Sequence, residues 1–388
     1  MDTNVAATGL RAPRTVLGPE HEQFREQVRR FFDRHVVPFH RQWEHDGIVP
    51  RDVWRLAGEQ GLLCPAVPEE FGGAGADFGY SAVVIEEIGR TGCSGVGFPL
   101  HSDIVAPYLV AYATAERKRD WLPRMARGEL IGAIAMTEPG MGSDLKAIRT
   151  TARRDGDHYV LNGSKTFITN GQNSGLVIVA CKTDPAAGRR GVSLICVEEG
   201  TPGFTKGRNL EKIGLHAQDT SELFFDDVRV PVANRLGEEN QGFRYLIHNL
   251  PQERLIVALR CAAQIEALLD ETVSYARGRE AFGQSVFDFQ NTRFRLADAK
   301  AQSVMLRVFT DHCLALHLRD GLSVELAATV KLLSTEMHNT LLDEFLQVHG
   351  GYGFMADFAI GRAWADARVG RIYGGSSEIM KEIIARTL

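Results

Sequence analysis

A chain of 388 residues, 44% hydrophobic and 24% charged, has an ordinary globular composition and exceeds what one core supports, so two or three packed regions are expected. A net charge of −5 with no long like-charge run argues against nucleic acid as the main partner, and no apolar stretch reaches membrane-spanning length. The six cysteines form no Cys-x-x-Cys pair and no His/Cys/Asp cluster has metal-ligand spacing, so a reducing compartment and no metal are expected.

Residues 1–18 lack an apolar secretory core, Arg11 and Arg14 are few for a transit peptide, and Asp2 weighs against one. They read as a disordered lead-in. A cytoplasmic location is expected, with the mitochondrial matrix as the alternative. Residues 19–129 read as a helical domain. Phe24, Val28, Phe31, Phe32 and Val36 recur at helical spacing up to Pro38, and further amphipathic stretches run from Pro50 to Gly61, Tyr80 to Gly89 and Ala115 to Arg127. The Gly-rich run 71–75 must be a loop.

From 130 to 239 the period changes to that of strands. Asp155-Gly156, Asn162-Gly163 and Asn170-Gly171 are hairpin-turn dipeptides beside β-branched or aromatic residues, predicting a middle antiparallel β domain. From 240 to 388 long helices return, with apolar stripes at Phe294, Ala297, Ala301, Met305 and Val308 and at Leu326, Val330, Leu333, Met337 and Leu341. Runs of roughly 25 to 30 residues imply helices of about 40 Å, the size of a four-helix bundle.

Neither a Gly-x-Gly-x-x-Gly fingerprint after a strand nor a Walker sequence is present. The richest segment runs from Ile134 to Asp144, with hydroxyls, carboxylates and glycines in one tight loop. Glycines let backbone approach a planar ligand, and Thr137 and Ser143 can bond its heteroatoms. On chemistry alone, a polar turn leaving a strand explains the loop equally well.

Met136-Thr137-Glu138-Pro139-Gly140-Met141-Gly142-Ser143-Asp144 resembles the first signature of the acyl-CoA dehydrogenase family. The runs 162–171, 279–283, 347–353 and 366–375 match further family signatures in order, so the resemblance covers residues 20–388. It is closest to the long-chain branch. It implies a mainly α fold with a β domain: an N-terminal helical domain, the β domain, and a C-terminal four-helix bundle. It further implies FAD, an acyl-CoA substrate, an electron-transfer flavoprotein as acceptor, and a homo-oligomer, expected to be a tetramer.

By the same resemblance, Ile134, Ala135, Met136, Thr137, Gly142 and Ser143 line the flavin, and Ser143 also lies near the substrate. Phe167, Ile168 and Thr169 cover one flavin face; most relatives carry Trp where Phe167 stands. Arg279, Phe282, Gln290, Gln347, Val348, Gly350, Gly351, Ser376, Ser377 and Glu378 hold the rest of FAD. Pro251, Gln252, Arg254, Tyr373, Gly374 and Gly375 contact substrate. The segment 93–98 resembles a long-chain segment near the acyl tail, but Asp103 puts a charge where a deep pocket needs apolar walls.

Removing the α-proton of a thioester needs a carboxylate in a water-poor site, where its pKa rises toward working pH. Most of the family carries that Glu just after the Ile-Tyr pair near the C-terminus, where this chain has Gly374. Residues 250–255 instead resemble the long-chain and isovaleryl branches, whose Glu sits on this helix, so Glu253 is the expected base. The competing reading makes Glu253 an exposed first-turn carboxylate two residues after Pro251. The function implied is α,β-dehydrogenation of a medium-to-long acyl-CoA. An oxidase, an acyl-carrier-protein dehydrogenase or a non-catalytic thioester binder of the same fold are the alternatives.

Overall fold

The computed structural model describes residues 10, 12–319 and 321–388. The expected disordered lead-in falls largely outside them. Of its described part, Arg14 pairs with Glu86 and Asp311, each at 2.8 Å.

The N-terminal region is built of α1 (Pro19–His35), α2 (His40–Asp46), α3 (Arg51–Glu59), α4 (Phe78–Thr91), α5 (Ala106–Tyr112) and α6 (Ala115–Ala126). Pro19 opens α1 where its missing N–H costs nothing, and Glu20 and Glu22 complement the positive end of the helix. Asp77 caps α4 through the Gly79 amide at 2.7 Å. Two helices had no sequence signal. α2 is polar except for Trp43, and α5, continuing from a π-helical turn at Leu100–Val105, is apolar all round.

The middle region holds β1 (Gly132–Ala135), β2 (Thr151–Asp155), β3 (His158–Thr169), β4 (Leu176–Lys182), β5 (Val192–Glu198), β6 (Phe204–Asn209), β7 (Thr220–Pro231) and β8 (Arg235–Leu236). They form one sheet ordered β6-β7-β3-β2-β4-β5-β8, with β1 beside β4. A hairpin forms where Asp155-Gly156 signals one, but with its two-residue turn one position later, at Gly156-Asp157, since Asp155 pairs with His158. Three expectations need correction. Asn170-Gly171 closes no hairpin: it ends β3, whose neighbours are β2 and β7, whereas the next strand, β4, pairs with β1, β2 and β5. The sheet is not wholly antiparallel: β1 runs parallel to β4, because a long loop and the β2–β3 hairpin separate them and no tight turn fixes their direction. Asn162-Gly163 is not a hairpin turn either. It forms a bulge inside β3, where Gly163 at φ +149° lies so close to Thr150 that a Cβ would meet its Oγ1 at 2.5 Å.

The C-terminal region has three long helices, α7 (Gly242–Gly278), α8 (Gln290–Arg319) and α9 (Val324–His349), followed by α10 (Ala359–Ala367) and α11 (Ser377–Ala385). A small hairpin of β9 (Glu280–Ala281) and β10 (Gln284–Ser285) links α7 to α8. The two short helices pack on α9 and complete the bundle. The α8 stripe has the expected period but faces outward: Phe294 is 59% exposed and Met305 61%, while Leu296, Ala299, Leu306 and Cys313 face the core. α7 also carries Leu255, Ile256 and Leu259 into the N-terminal core, which joins the bundle to α4.

Candidate active site

The loop leaving β1 is cinched around a buried ion pair. Lys165 on β3 is fully buried; its Nζ donates to Glu138 Oε1 at 2.9 Å and to the Met136 carbonyl at 3.0 Å. Glu138 also accepts from the backbone amides of Arg149 and Thr150. Burial pushes its carboxyl up, but the Lys165 charge and these donors outweigh burial and hold it below the usual carboxylate range. The Thr166 amide donates to the Thr137 carbonyl at 2.9 Å, joining the two segments expected to hold the flavin.

β3 changes register against β7 between Lys165 and Ile168. The irregularity puts Phe167 at φ +60° and turns its ring out, 67% exposed. Ile168 is buried, and the Thr169 hydroxyl accepts from Gln218 Nε2 at 3.2 Å. Ile134 and Ala135 are buried in β1, whereas Gly142 and Ser143 are exposed at the loop tip with open space around Gly142. A free aromatic face, hydroxyls and an open glycine loop on one rigid frame suit a planar heteroaromatic cofactor.

Glu253 lies eleven residues inside α7 and is buried, so it is not an exposed first-turn carboxylate. Pro251 does not start the helix; it sits within it. The fully buried Tyr108 on α5 donates its hydroxyl to Glu253 Oε1 at 3.1 Å. Burial pushes the Glu253 carboxyl up to about 7, against the opposing pull of the Tyr108 hydroxyl and the Arg254 charge. That is the poise a base needs at neutral pH.

Next to Glu253 on α7, Gln252 donates its Nε2 to the Asp103 carbonyl at 2.6 Å. Arg254 is 3% exposed, its Nε and Nη1 without partners, and it faces Gly375. The Gly375 carbonyl accepts from Lys331 Nζ at 2.7 Å, and Tyr373 accepts from Arg260. Gly374 sits at φ +62° with nothing within 4 Å of where a Cβ would stand. Just beyond, the Ser376 hydroxyl caps α11, Ser377 donates to Glu336 at 2.6 Å, and Glu378 is exposed.

The remaining expected cofactor residues gather elsewhere. Arg279 ends α7 with its guanidinium 5.6 Å above the Tyr352 ring. Phe282 is fully exposed at the β9–β10 tip, Gln290 begins α8, and Gln347, Val348, Gly350 and Gly351 follow from the end of α9. Glu253 and Arg279 are 26 residues apart on one helix, about 39 Å. One chain therefore carries two separate clusters. Tyr108 and Lys165 were missed by sequence reading. A lysine inside a strand of largely buried residues was a usable signal, whereas nothing in the sequence ties Tyr108 to a carboxylate 145 residues away. Among the described residues, no group of three His, Cys, Asp or Glu side chains is placed to hold a metal, and no helix is long and apolar enough to cross a membrane.

The chain matches three family models: the acyl-CoA dehydrogenase N-terminal domain over 18–129, the middle domain over 133–228 and the C-terminal domain over 240–388. It is 48% identical to the mitochondrial long-chain specific acyl-CoA dehydrogenase of Sus scrofa over 377 residues, 97% of this chain and 88% of that protein. A crystal structure of an acyl-CoA dehydrogenase from Geobacillus kaustophilus superposes with a TM-score of 0.95 at 49% identity, covering 97% of this chain and 99% of that one. A glutaryl-CoA dehydrogenase from Mycobacterium smegmatis, solved in complex with FADH2, superposes at 0.89 with 26% identity, covering 96% and 95%. This chain belongs to the acyl-CoA dehydrogenase family of FAD-dependent flavoprotein oxidoreductases.

Proposed function

We propose that the protein dehydrogenates medium-to-long-chain acyl-CoA thioesters to trans-2-enoyl-CoA, with Glu253 as the α-proton base. The observation that carries this reading is the Glu253 carboxyl itself, buried inside α7, held by the Tyr108 hydroxyl and raised by burial to about 7. FAD, when bound, supplies the acceptor for the β-hydride. Thr137, Phe167 and Thr169 would hold it, while Tyr108 fixes the orientation of the Glu253 carboxyl. The proton ends on Glu253, in a site dry enough to bear the neutral acid. Arg189, Arg190 and Arg244 are exposed near the start of α7, with Arg189 stacked 5.9 Å from the Phe243 ring. Electrons then pass to a separate electron-transfer flavoprotein.

Anaerobic bleaching of the bound flavin by straight-chain acyl-CoAs of increasing length tests the reading. Reduction should be fastest with medium-to-long chains. Bleaching by short chains alone would overturn the size assignment, and none with any acyl-CoA would overturn the activity. The purified protein should be yellow, with about one FAD per chain that acid or denaturant releases into the supernatant, since the Thr137 and Thr169 segments hold it by non-covalent contacts alone. Folded protein that stays colourless after incubation with FAD would contradict this.

A further inference from the structure

The strand that carries Phe167 also carries Lys165, and the buried Lys165 ammonium is committed to the loop leaving β1. It donates to the Met136 carbonyl at 3.0 Å and to Glu138 Oε1 at 2.9 Å. Glu138 is in turn closed off on every side. Its Oε1 accepts from the Thr150 amide at 3.0 Å and its Oε2 from the Arg149 amide at 2.7 Å. Its own amide and carbonyl exchange bonds with Met141, both at 3.1 Å. The Thr137 carbonyl accepts from the Thr166 amide at 2.9 Å. Of the polar groups on Thr137 and Glu138, two are left over. The Thr137 N–H and hydroxyl bond to no other described residue, and Thr137 is only half-buried.

A trans peptide sets its C=O and the following N–H on opposite edges, and the peptides of the described residues are all trans. Lys165 holds the Met136 carbonyl, so the Thr137 N–H points away from the Lys165 ammonium. The Thr166 bond fixes the next peptide, which stops Thr137 from turning. An ammonium on the carbonyl also polarises the peptide and makes its N–H a stronger donor. Glu138 offsets the ammonium's charge, so the influence runs through this one peptide and not through a long-range field. A rigidly held, polarised and unpartnered N–H suits a ligand atom on which negative charge develops. The flavin ring offers such atoms, because it takes up electrons and hydrogen bonds to its heteroatoms tune its potential. We infer that Lys165 is a positioning residue: through the Met136–Thr137 peptide it aims the Thr137 N–H at the flavin ring and stabilises the ring's reduced form. The inference rests on the reading that Thr137 meets the flavin.

The test measures the two-electron midpoint potential of the bound flavin by dye equilibration, with FAD affinity from titration of apoprotein. Lys165→Met alone strands the Glu138 carboxylate in the interior, which endangers folding. The variant to use is therefore Lys165→Met combined with Glu138→Gln, which removes both charges and keeps their shapes. Its preference for reduced over oxidised FAD should drop by about 10-fold relative to wild type, the effect of one hydrogen bond to a charged partner, which is a potential about 30 mV lower. Glu138→Gln alone leaves the ammonium on the Met136 carbonyl, and its potential should stay at or above that of the wild type. The two variants differ only at residue 165, so the comparison isolates the lysine. A merely structural ion pair would instead lower melting temperature and FAD affinity in both variants and leave the potential of the bound flavin unmoved. A double variant at the wild-type potential, or a Glu138→Gln variant whose potential falls as far as that of the double variant, overturns the inference. If the wild type binds FAD in that event, the flavin reading stands and only the role of Lys165 is lost; a wild type that binds no FAD removes both.

Discussion

Glu253→Gln is expected to lower turnover by about 10²–10⁴-fold, the usual worth of a positioned general base, while FAD content and acyl-CoA binding stay near wild type. The amide keeps the shape and can still accept from Tyr108, but it cannot take a proton. The sign of the pH dependence follows from the same burial. The base works only when ionised, and its carboxyl is raised to about 7, so kcat/KM should fall as pH drops below about 7. An exposed glutamate would give that limb at about 4.3. Stopped-flow flavin reduction across pH reads both effects. A variant with most of its activity, or an acid limb near 4, would move the base elsewhere. The open space at Gly374 allows a sharper version. Glu253→Gly combined with Gly374→Glu should recover part of the lost rate, because a Cβ at 374 meets no atom within 4 Å. Recovery should be incomplete. A non-glycine residue at φ +62° is strained by about 1–2 kcal/mol, and a misplacement of about 1 Å can cost 10²-fold.

The order helical, β, helical was legible because each region has its own period, and Asp-Gly and helix-opening proline signals are local chemistry. What the sequence concealed was direction and phase. The outward stripe on α8 satisfies a 3.6-residue period as well as the buried one does, since period alone does not say which face is inward. The parallel placement of β1 depends on pairing with partners 44 residues later, Gly132 with Leu176 onward, beyond any local signal. At the site, Glu253 could be proposed from what Gly374 lacks. Its depth inside α7 could not, because Pro251 imitates a helix start that the tertiary packing overrides. The partners that tune the site, Tyr108 on Glu253 and Lys165 on Glu138, are contacts between elements far apart in the chain.

Arg279→Ala is expected to weaken FAD retention by about 10–100-fold and to shift the protein toward smaller species in sedimentation. If the flavin ring lies against Glu253, then Arg279, about 39 Å along the same helix, stands farther away than a ring lies from its own pyrophosphate. A guanidinium fork suits phosphate oxygens, and its loss removes charge-assisted hydrogen bonds worth about 1.5–3 kcal/mol. Arg279 would thus serve the FAD of a second copy. The surface around it is consistent with such a partner. Phe282 is 98% exposed, and the α8 stripe of Phe294, Met305 and Val308 is left uncovered in a single chain, which is costly unless another copy buries it. We expect at least a dimer, and a tetramer made of two dimers. A ligand bound only by the assembled state stabilises that state, so stripping FAD from the wild type should also promote dissociation. Arg279→Lys should recover little, since an ammonium cannot reproduce the bidentate geometry. Sedimentation velocity with absorbance at both protein and flavin wavelengths reads assembly and retention together. A monomer that holds FAD tightly at nanomolar concentration would show that one chain builds the whole site and that Arg279 merely stacks on Tyr352.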